Sequence, residues 1–390
     1  MLNLAVRNVF RNRRRSAITI AVIVFGAVGL ILFGGYKATT FRGLRESTIR
    51  GRIGHLQIFP RPADAGLTDV ASLRRTIESD SRVQSTAAQI TLMGLISNGE
   101  KSESFMATAV EPEKDRAMKA QKLIAGTDLP STELDAVLLG AGLAKSMKAK
   151  PGDFLTLMTT TKSGSLNAID VRVAGVFATG VKEFDERAVK MPILGAQQLL
   201  QTTSVEKLLV LLGNTDDTDA VRRDIERRFP QLDLKSWSQL APFYHQVVLL
   251  FNGIFGFLGL IVFAVVIFSV ANTVVMSIFE RTREIGTLMA IGTSRARIWR
   301  MFFLEGMLIG LIGGLAGLAV AALLAALINN GNVMLPPPPG YTVGYHLKIL
   351  LQPQILITSF LISLVTATLS SILPALRASR MKVVDALGHI

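Results

Sequence analysis

Four stretches of the chain are nearly free of charge: Ser16–Tyr36, Val247–Phe279, Met301–Ile328 with the single acid Glu305, and Ile355–Ile372. Each holds about 18 residues or more, enough to cross a hydrocarbon core of roughly 30 Å at about 1.5 Å per residue. One such run is often a buried core helix; four of this length predict four membrane-spanning helices. The first follows RNRRR, as the apolar part of a signal peptide would. It is too long for that, and no small-residue cleavage site follows cleanly, so it reads as an uncleaved anchor. The second makes roughly 50 Å of helix, so it tilts or raises a stalk above the bilayer.

Between the first two runs the pattern changes. Ala168–Thr179 and Lys207–Leu212 are apolar and β-branched and predict strands. Thr218–Phe229 sets Val221, Ile225 and Phe229 on one helical face. LAKSMKAKPGDFLTL predicts a helix, a Pro-Gly-Asp turn and a strand. The predicted fold class is therefore an α-helical membrane protein with four transmembrane helices and a large α+β extracytoplasmic domain between the first and second. The predicted layout is an amphipathic segment over 1–15, a span over 16–36, the α+β domain over 37–243 and a span with stalk over 244–279. A loop over 280–300, a span over 301–328, an external loop over 329–354, a span over 355–373 and a tail over 374–390 complete it.

The net charge is +13, which on its own suggests nucleic acid. Its placement argues otherwise. Residues 1–20 carry +5, residues 280–300 carry +3 and residues 374–390 carry +2, ten of the thirteen charges in three segments that flank spans. That is positive-inside patterning. It predicts cytoplasmic termini and a cytoplasmic 280–300 loop, with membrane lipid as the surrounding partner and no nucleic acid. Residues 37–235, with 28 bases and 25 acids, fall outside. The absence of cysteine rules out disulfide stapling, and a domain of this size can bury its own core.

Catalytic motifs are missing. No GxxxxGK[ST] and no GxSxG occur, and His55, His245, His346 and His389 lack metal-ligand spacing. The chain is read as a membrane protein without an enzyme site, with no catalytic residue, metal or cofactor of its own.

The densest charged patch of the second half is ERTREIGTLMAIGTSRAR, residues 280–297. Ile278, Ile285, Leu288, Met289 and Gly292 fall on one helical face, with Glu280, Arg281, Arg283 and Glu284 on the other sides. Pairs Glu280–Arg283 and Arg281–Glu284 are three apart and within reach on a helix. Gly292 is a helix stop, and Thr293 or Ser294 can cap the next helix. A short helix rigidly joined to two spans is suited to pass on force from a cytoplasmic partner, with Glu284 and its neighbours facing that partner. Elsewhere, Gly306-xxx-Gly310-xxx-Gly314 and Gly313-xxx-Gly317 form small-residue ridges for close helix approach. Glu305 is expected to pair with Arg300 or Arg13. Phe25, Phe33, Phe251 and Phe255 stand in the first two apolar runs. MLPPPPGYTVGY in the last external loop is a stiff segment of open role.

The charged patch resembles the coupling segment of FtsX-like ABC permeases, the superfamily of MacB-type pumps and lipoprotein-releasing (Lol-type) permeases. The pattern R-x-R-E-I-G-x-x-x-A-x-G stands here as Arg281, Arg283, Glu284, Ile285, Gly286, Ala290 and Gly292. LNLAVRNVFRNRRRSAIT resembles the family's N-terminal amphipathic helix, and VLLGAGLAKSMKAKPGDFLTL the core of a MacB-type domain. PALRASRMKVVDAL resembles its closing motif, with Val383 or Val384 where proline is common. The resemblance implies a homo- or heterodimer of permeases with two cytoplasmic ABC ATPase subunits, which carry the ATP and Mg. Such a type VII system works by mechanotransmission, with a periplasmic chaperone or adaptor as further partner. It implies export or extraction of a lipoprotein, lipid or other amphiphile from a bacterial inner membrane, with Phe25, Phe33, Phe251 and Phe255 lining a candidate substrate cavity for acyl chains. The alternatives are MacB-type efflux through an adaptor and outer-membrane duct, and a cell-division-type signalling permease that activates a wall hydrolase.

Overall fold

The computed structural model describes residues 7, 11–62, 66–118, 122–337, 342 and 344–381. Most of the expected N-terminal amphipathic helix, the prolines at 338–339 and the closing motif beyond Met381 lie outside the described residues. The chain divides into two compact units. One comprises Met1–Phe41, Val247–Met334 and His346–Ile390; the other comprises Arg42–Gln246 and Leu335–Tyr345. The first helix, α1, covers Arg13–Thr48 and ends in a π turn over Ile49–Ile53. It thus runs past Tyr36, where the apolar pattern stops. The segment KATTFRGLREST has no proline and is rich in good helix formers, so nothing ends the helix there. Thr39 and Thr48 hydroxyls donate back to Gly35 and Leu44 carbonyls one turn earlier.

The α+β unit follows. In chain order it holds β1 (Leu56–Pro60), α2 (Val70–Glu78), β2 (Val83–Ser97), β3 (Ser102–Val110), α3 (Pro112–Met118), β4 (Lys122–Gly126) and β5 (Ala136–Gly140). It continues with α4 (Ala141–Met147), β6 (Phe154–Thr160), β7 (Leu166–Ala178), α5 (Lys182–Asp185), β8 (Ala188–Pro192), α6 (Ile193–Leu200) and β9 (Lys207–Leu212). It closes with α7 (Thr218–Arg228), β10 (Leu232–Ser236) and α8 (Trp237–Leu240). The strands make one mixed sheet in the order β10-β1-β9-β2-β3-β8-β5-β7-β4, with β6 paired to β2 and β7. β3/β8 and β5/β7 are parallel, and the other pairs are antiparallel.

Strand alternation sorts side chains to two faces. Leu56, Ile58, Ala88, Ile90, Leu208 and Val210 face a core that α2, α4, α6 and α7 close with Leu73, Leu143, Leu199 and Val221. The opposite face carries Gln57, Gln89, Thr91, Thr108, Lys190 and Lys207 around a cavity of about 240 Å³. Both lysines are paired there, Lys190 with Asp115 at 2.6 Å and Lys207 with Glu206 at 3.3 Å.

Four further helices complete the other unit: α9 (Pro242–Glu280), α10 (Thr282–Ala290), α11 (Arg295–Asn330) and α12 (Pro353–Ser379). With α1, the helices α9, α11 and α12 are long and apolar enough to cross a membrane. Their shared core includes Ile23 of α1, Val270 and Val274 of α9, Phe302 and Ile309 of α11 and Ala367 of α12. α12 continues through the buried Pro374 to Ser379, beyond the end expected at 373. Spans tolerate such a proline because neighbouring groups satisfy the freed backbone.

Candidate functional site

α9 and α10 are separate helices. The break is Arg281, whose φ of −119° and ψ of 13° leave the helical region. α10 ends at a Schellman motif: Gly292 N–H donates to Met289 carbonyl at 3.1 Å and Thr293 N–H to Leu288 carbonyl at 2.9 Å. Gly292 takes φ +93°, which a side chain would resist. Ser294 is the N-cap position of α11, without a side-chain bond.

The sides of α10 differ from the sequence expectation in two ways. Ile285, 1% exposed, and Gly286 point inward, and Ile285 joins the core of the helical unit. Met289 is half-buried, but Leu288 is exposed, and beside it Ile291 is 74% exposed. The apolar residues are therefore split between an inward anchor and an outward tip. Arg283, Arg295 and Arg297 are exposed as well. Across the break at Arg281, Ile278 and Ile285 still share one core with Met289 packed against it, whereas Leu288 and Gly292 of the expected face are exposed.

The second difference is the pairing. Among the described residues, the partners of Glu280 and Glu284 lie in the segment at the start of the first span. Arg15 Nη1 donates to Glu280 Oε1 at 2.9 Å and Asn12 Nδ2 to Glu280 Oε2 at 2.6 Å. Arg11 Nη1 donates to Glu284 Oε1 at 3.0 Å. Arg281 is buried instead. Beneath it lies Glu305, 4% exposed. Ser277 Oγ stands 3.4 Å from Glu305 Oε1, and Glu305 Oε2 has no hydrogen-bond partner among the described residues. Arg300 and Arg13, the expected partners of Glu305, are both exposed, and neither forms an ion pair with it among the described residues. Sequence reading missed Arg11, Asn12 and Arg15 as partners. The signal available was the acid-free basic run before the first span, opposite the only acids of the 280–300 loop.

The two glycine ridges of α11 meet different neighbours. A methyl on Gly306 would stand 2.5 Å from Ser371 Oγ, one on Gly310 2.8 Å from Ala367 Cβ, and one on Gly314 3.0 Å from the Phe360 ring. All three neighbours are on α12. Gly313 and Gly317 face α1, where added methyls would stand 2.7 Å from Ile23 and 2.6 Å from Ala27. Gly317→Leu is therefore expected to overpack the α1–α11 contact and cost about 1–3 kcal/mol. Thermal unfolding of the full chain in detergent measures it. Gly253→Leu, where nothing lies within 4 Å, is the control and should leave the midpoint unchanged. Equal effects of both variants would refute the packing role.

Phe33 and Phe255 rings lie 5.6 Å apart and Phe251 and Phe255 rings 5.8 Å apart, with Phe41 6.1 Å from Phe251. Phe25 is 76% exposed and outside this cluster. A separate apolar cavity of about 310 Å³ opens among α1, α9 and α12, lined by Gly26, Leu30, Gly259, Val262 and Thr366 among others. None of the four candidate phenylalanines lines it. Among the described residues no three His, Asp or Glu side chains could hold a metal ion.

Residues 256–383 match the model of the FtsX-like permease C-terminal family, and residues 16–228 match that of the MacB-like periplasmic core domain. The lipoprotein-releasing system transmembrane protein LolC of Xylella fastidiosa strain 9a5c is 26% identical over 331 residues, 80% of this chain and 79% of that protein. The macrolide export ATP-binding/permease protein MacB of Escherichia coli K12 is 36% identical over 120 residues, 31% of this chain and 17% of that protein. The solved periplasmic region of MacB from Actinobacillus actinomycetemcomitans covers 50% of this chain and 95% of its own, with 15% identity and a TM-score of 0.37.

Proposed function

This chain belongs to the FtsX-like ABC-transporter permeases that carry a MacB-like periplasmic core domain, and from that premise we propose that it extracts a lipid-anchored cargo from the inner membrane. What favours release over efflux is the extent of similarity. The LolC match spans 79% of that protein, whereas the MacB match is confined to 17%. In this reading ATP and Mg bind a cytoplasmic ATPase, two copies per complex, outside these 390 residues, which hold no P-loop. A second permease protomer completes the dimer, and a periplasmic carrier takes the cargo. The termini and α10 face the cytoplasm, and the α+β unit faces the periplasm, as the arginine placement supports.

α10 receives the ATPase. Its exposed tip of Leu288 and Ile291, with the exposed Arg283, Arg295 and Arg297 close by in the chain, supplies an apolar anchor in a basic segment. Apolar anchors inside a polar rim dominate binding energy at protein interfaces. The aromatic cluster of Phe33, Phe251 and Phe255 is the proposed contact for acyl chains.

The test is reconstitution of the chain with its ATPase in vesicles that hold a diacylated fluorescent lipopeptide. ATP-dependent transfer of the lipopeptide to an acceptor is expected, with no hydrolysis by the chain alone. Reporters at Arg295 and Asp128 should read opposite sides of the membrane. Hydrolysis stimulated by a macrolide but not by lipopeptide would favour efflux instead.

A further inference from the structure

The break at Arg281 would leave α10 free to swing, but three polar contacts bridge that break from one side. Arg15 and Thr19 stand one turn apart on α1, and Arg11 lies just before that helix, across a turn at Asn12. Their partners run in the opposite direction. Arg11 holds Glu284 at 3.0 Å, Arg15 holds Glu280 at 2.9 Å, and Thr19 bonds Thr273 at 2.5 Å inside the buried core. Asn12 takes the second oxygen of Glu280 at 2.6 Å, so that carboxylate is bound at both oxygens.

Glu284 lies on α10, past the break, and Glu280 on α9, before it. The Arg11 contact therefore holds the far side of the hinge and the Arg15 contact the near side. We infer that this row is an intrachain clasp: it fixes α10 to the start of α1, so that both move as one lever when the ATPase moves α10. The inference rests on the reading of α10 as the ATPase-docking helix. It adds a route for force. A push on α10 enters α1 directly through Arg11 and Arg15, besides passing through the covalent joints to α9 and α11. It also gives Glu284 a positioning role within the chain instead of a contact on the partner.

Each contact alone is weak, because exposed ion pairs contribute little. Arg11 and Glu284 side chains are 62% and 54% exposed. The row gains from its inner members: the Arg15 side chain is 23% exposed, and the Thr19–Thr273 pair is buried.

The exposed end of the clasp gives a test that spares the fold. In the complex with ATPase, Arg11→Glu and Glu284→Arg should each lower permease-stimulated ATP hydrolysis by about two- to fivefold. The double variant restores the pair with its charges exchanged and should recover the wild-type rate. The chain has no cysteine, so Arg11→Cys with Glu284→Cys can be joined specifically by a short bis-maleimide linker that spans the length of the two replaced side chains. The linker should join the two, and the joined complex should keep turning over, because the lever moves as a unit. Failure of the double variant to recover, or arrest by the cross-link, would overturn the clasp. The docking reading is judged separately by Ile291→Asp. If that variant abolishes stimulation while the exchanged pair fails to recover, docking stands and the clasp falls. If it leaves stimulation intact while the exchanged pair recovers, the Ile291 tip is removed from the docking surface and the clasp stands.

Discussion

Ile291→Asp is expected to lower ATPase binding by about thirtyfold or more, while leaving the permease inserted and folded. Ile291 is 74% exposed at the C-cap of α10, so no core contact is lost on substitution. The aspartate would sit where the partner must cover an apolar side chain, and burying an unpaired charge is costly. Truncation of an interface anchor commonly removes about 2 kcal/mol or more, which is roughly thirtyfold in affinity. Leu288→Asp should act in the same direction. Ile285→Asp is the contrast. That side chain is 1% exposed in the helical core, so its replacement should destabilise the permease itself. Co-purification at matched expression, with thermal unfolding of each variant, separates the two mechanisms. Full ATPase retention by Ile291→Asp would remove the tip from the docking surface.

That contrast marks where the sequence was informative. The four spans could be read because a bilayer demands long uncharged runs, and few other settings do. β9 covers Lys207–Leu212, the same residues as the apolar run, because a strand packed on both sides leaves little else there. Helix α7 likewise buries Val221 and Ile225 as its spacing required. The failures share a cause. Periodicity gives the faces of one helix but not its partner. It set Leu288 beside Ile285 because the two are three apart, yet only the packing shows that one points inward and the other outward. Pairing by nearest charge chose Arg283 for Glu280, whereas the chain brings Arg15 from 265 residues away. The length of α1 escaped notice because hydropathy reports a membrane core and says nothing of a helix that continues beyond it.

The α+β unit should lose stability as pH falls from about 6.5 to about 4, and one histidine should account for the loss. His55 is 3% exposed, directly after the turn at Gly54. Leu212 N–H reaches its Nδ1 at 3.0 Å. A backbone amide only donates, so Nδ1 is the unprotonated nitrogen and Nε2–H donates to Thr215 Oγ1 at 3.1 Å. Burial, with Arg50 and Arg45 nearby, lowers its pKa from 6.5 to about 4. The unfolded chain then takes up the proton first as pH falls, so stability is full above about 6.5 and declines until the folded state titrates as well. A shift of that size amounts to at most about 3 kcal/mol. Carboxylates act in a lower range: Asp80, bonded by Arg82, lies below its usual 3.8. The window above pH 4.5 therefore belongs to the histidine. His55→Asn keeps an oxygen able to accept from Leu212 N–H and removes the titration. Unfolding midpoints of the full chain at pH 7.5, 6 and 5 should fall for the native protein and stay nearly level for the variant. Parallel curves would show that His55 is not the group that couples this unit to pH.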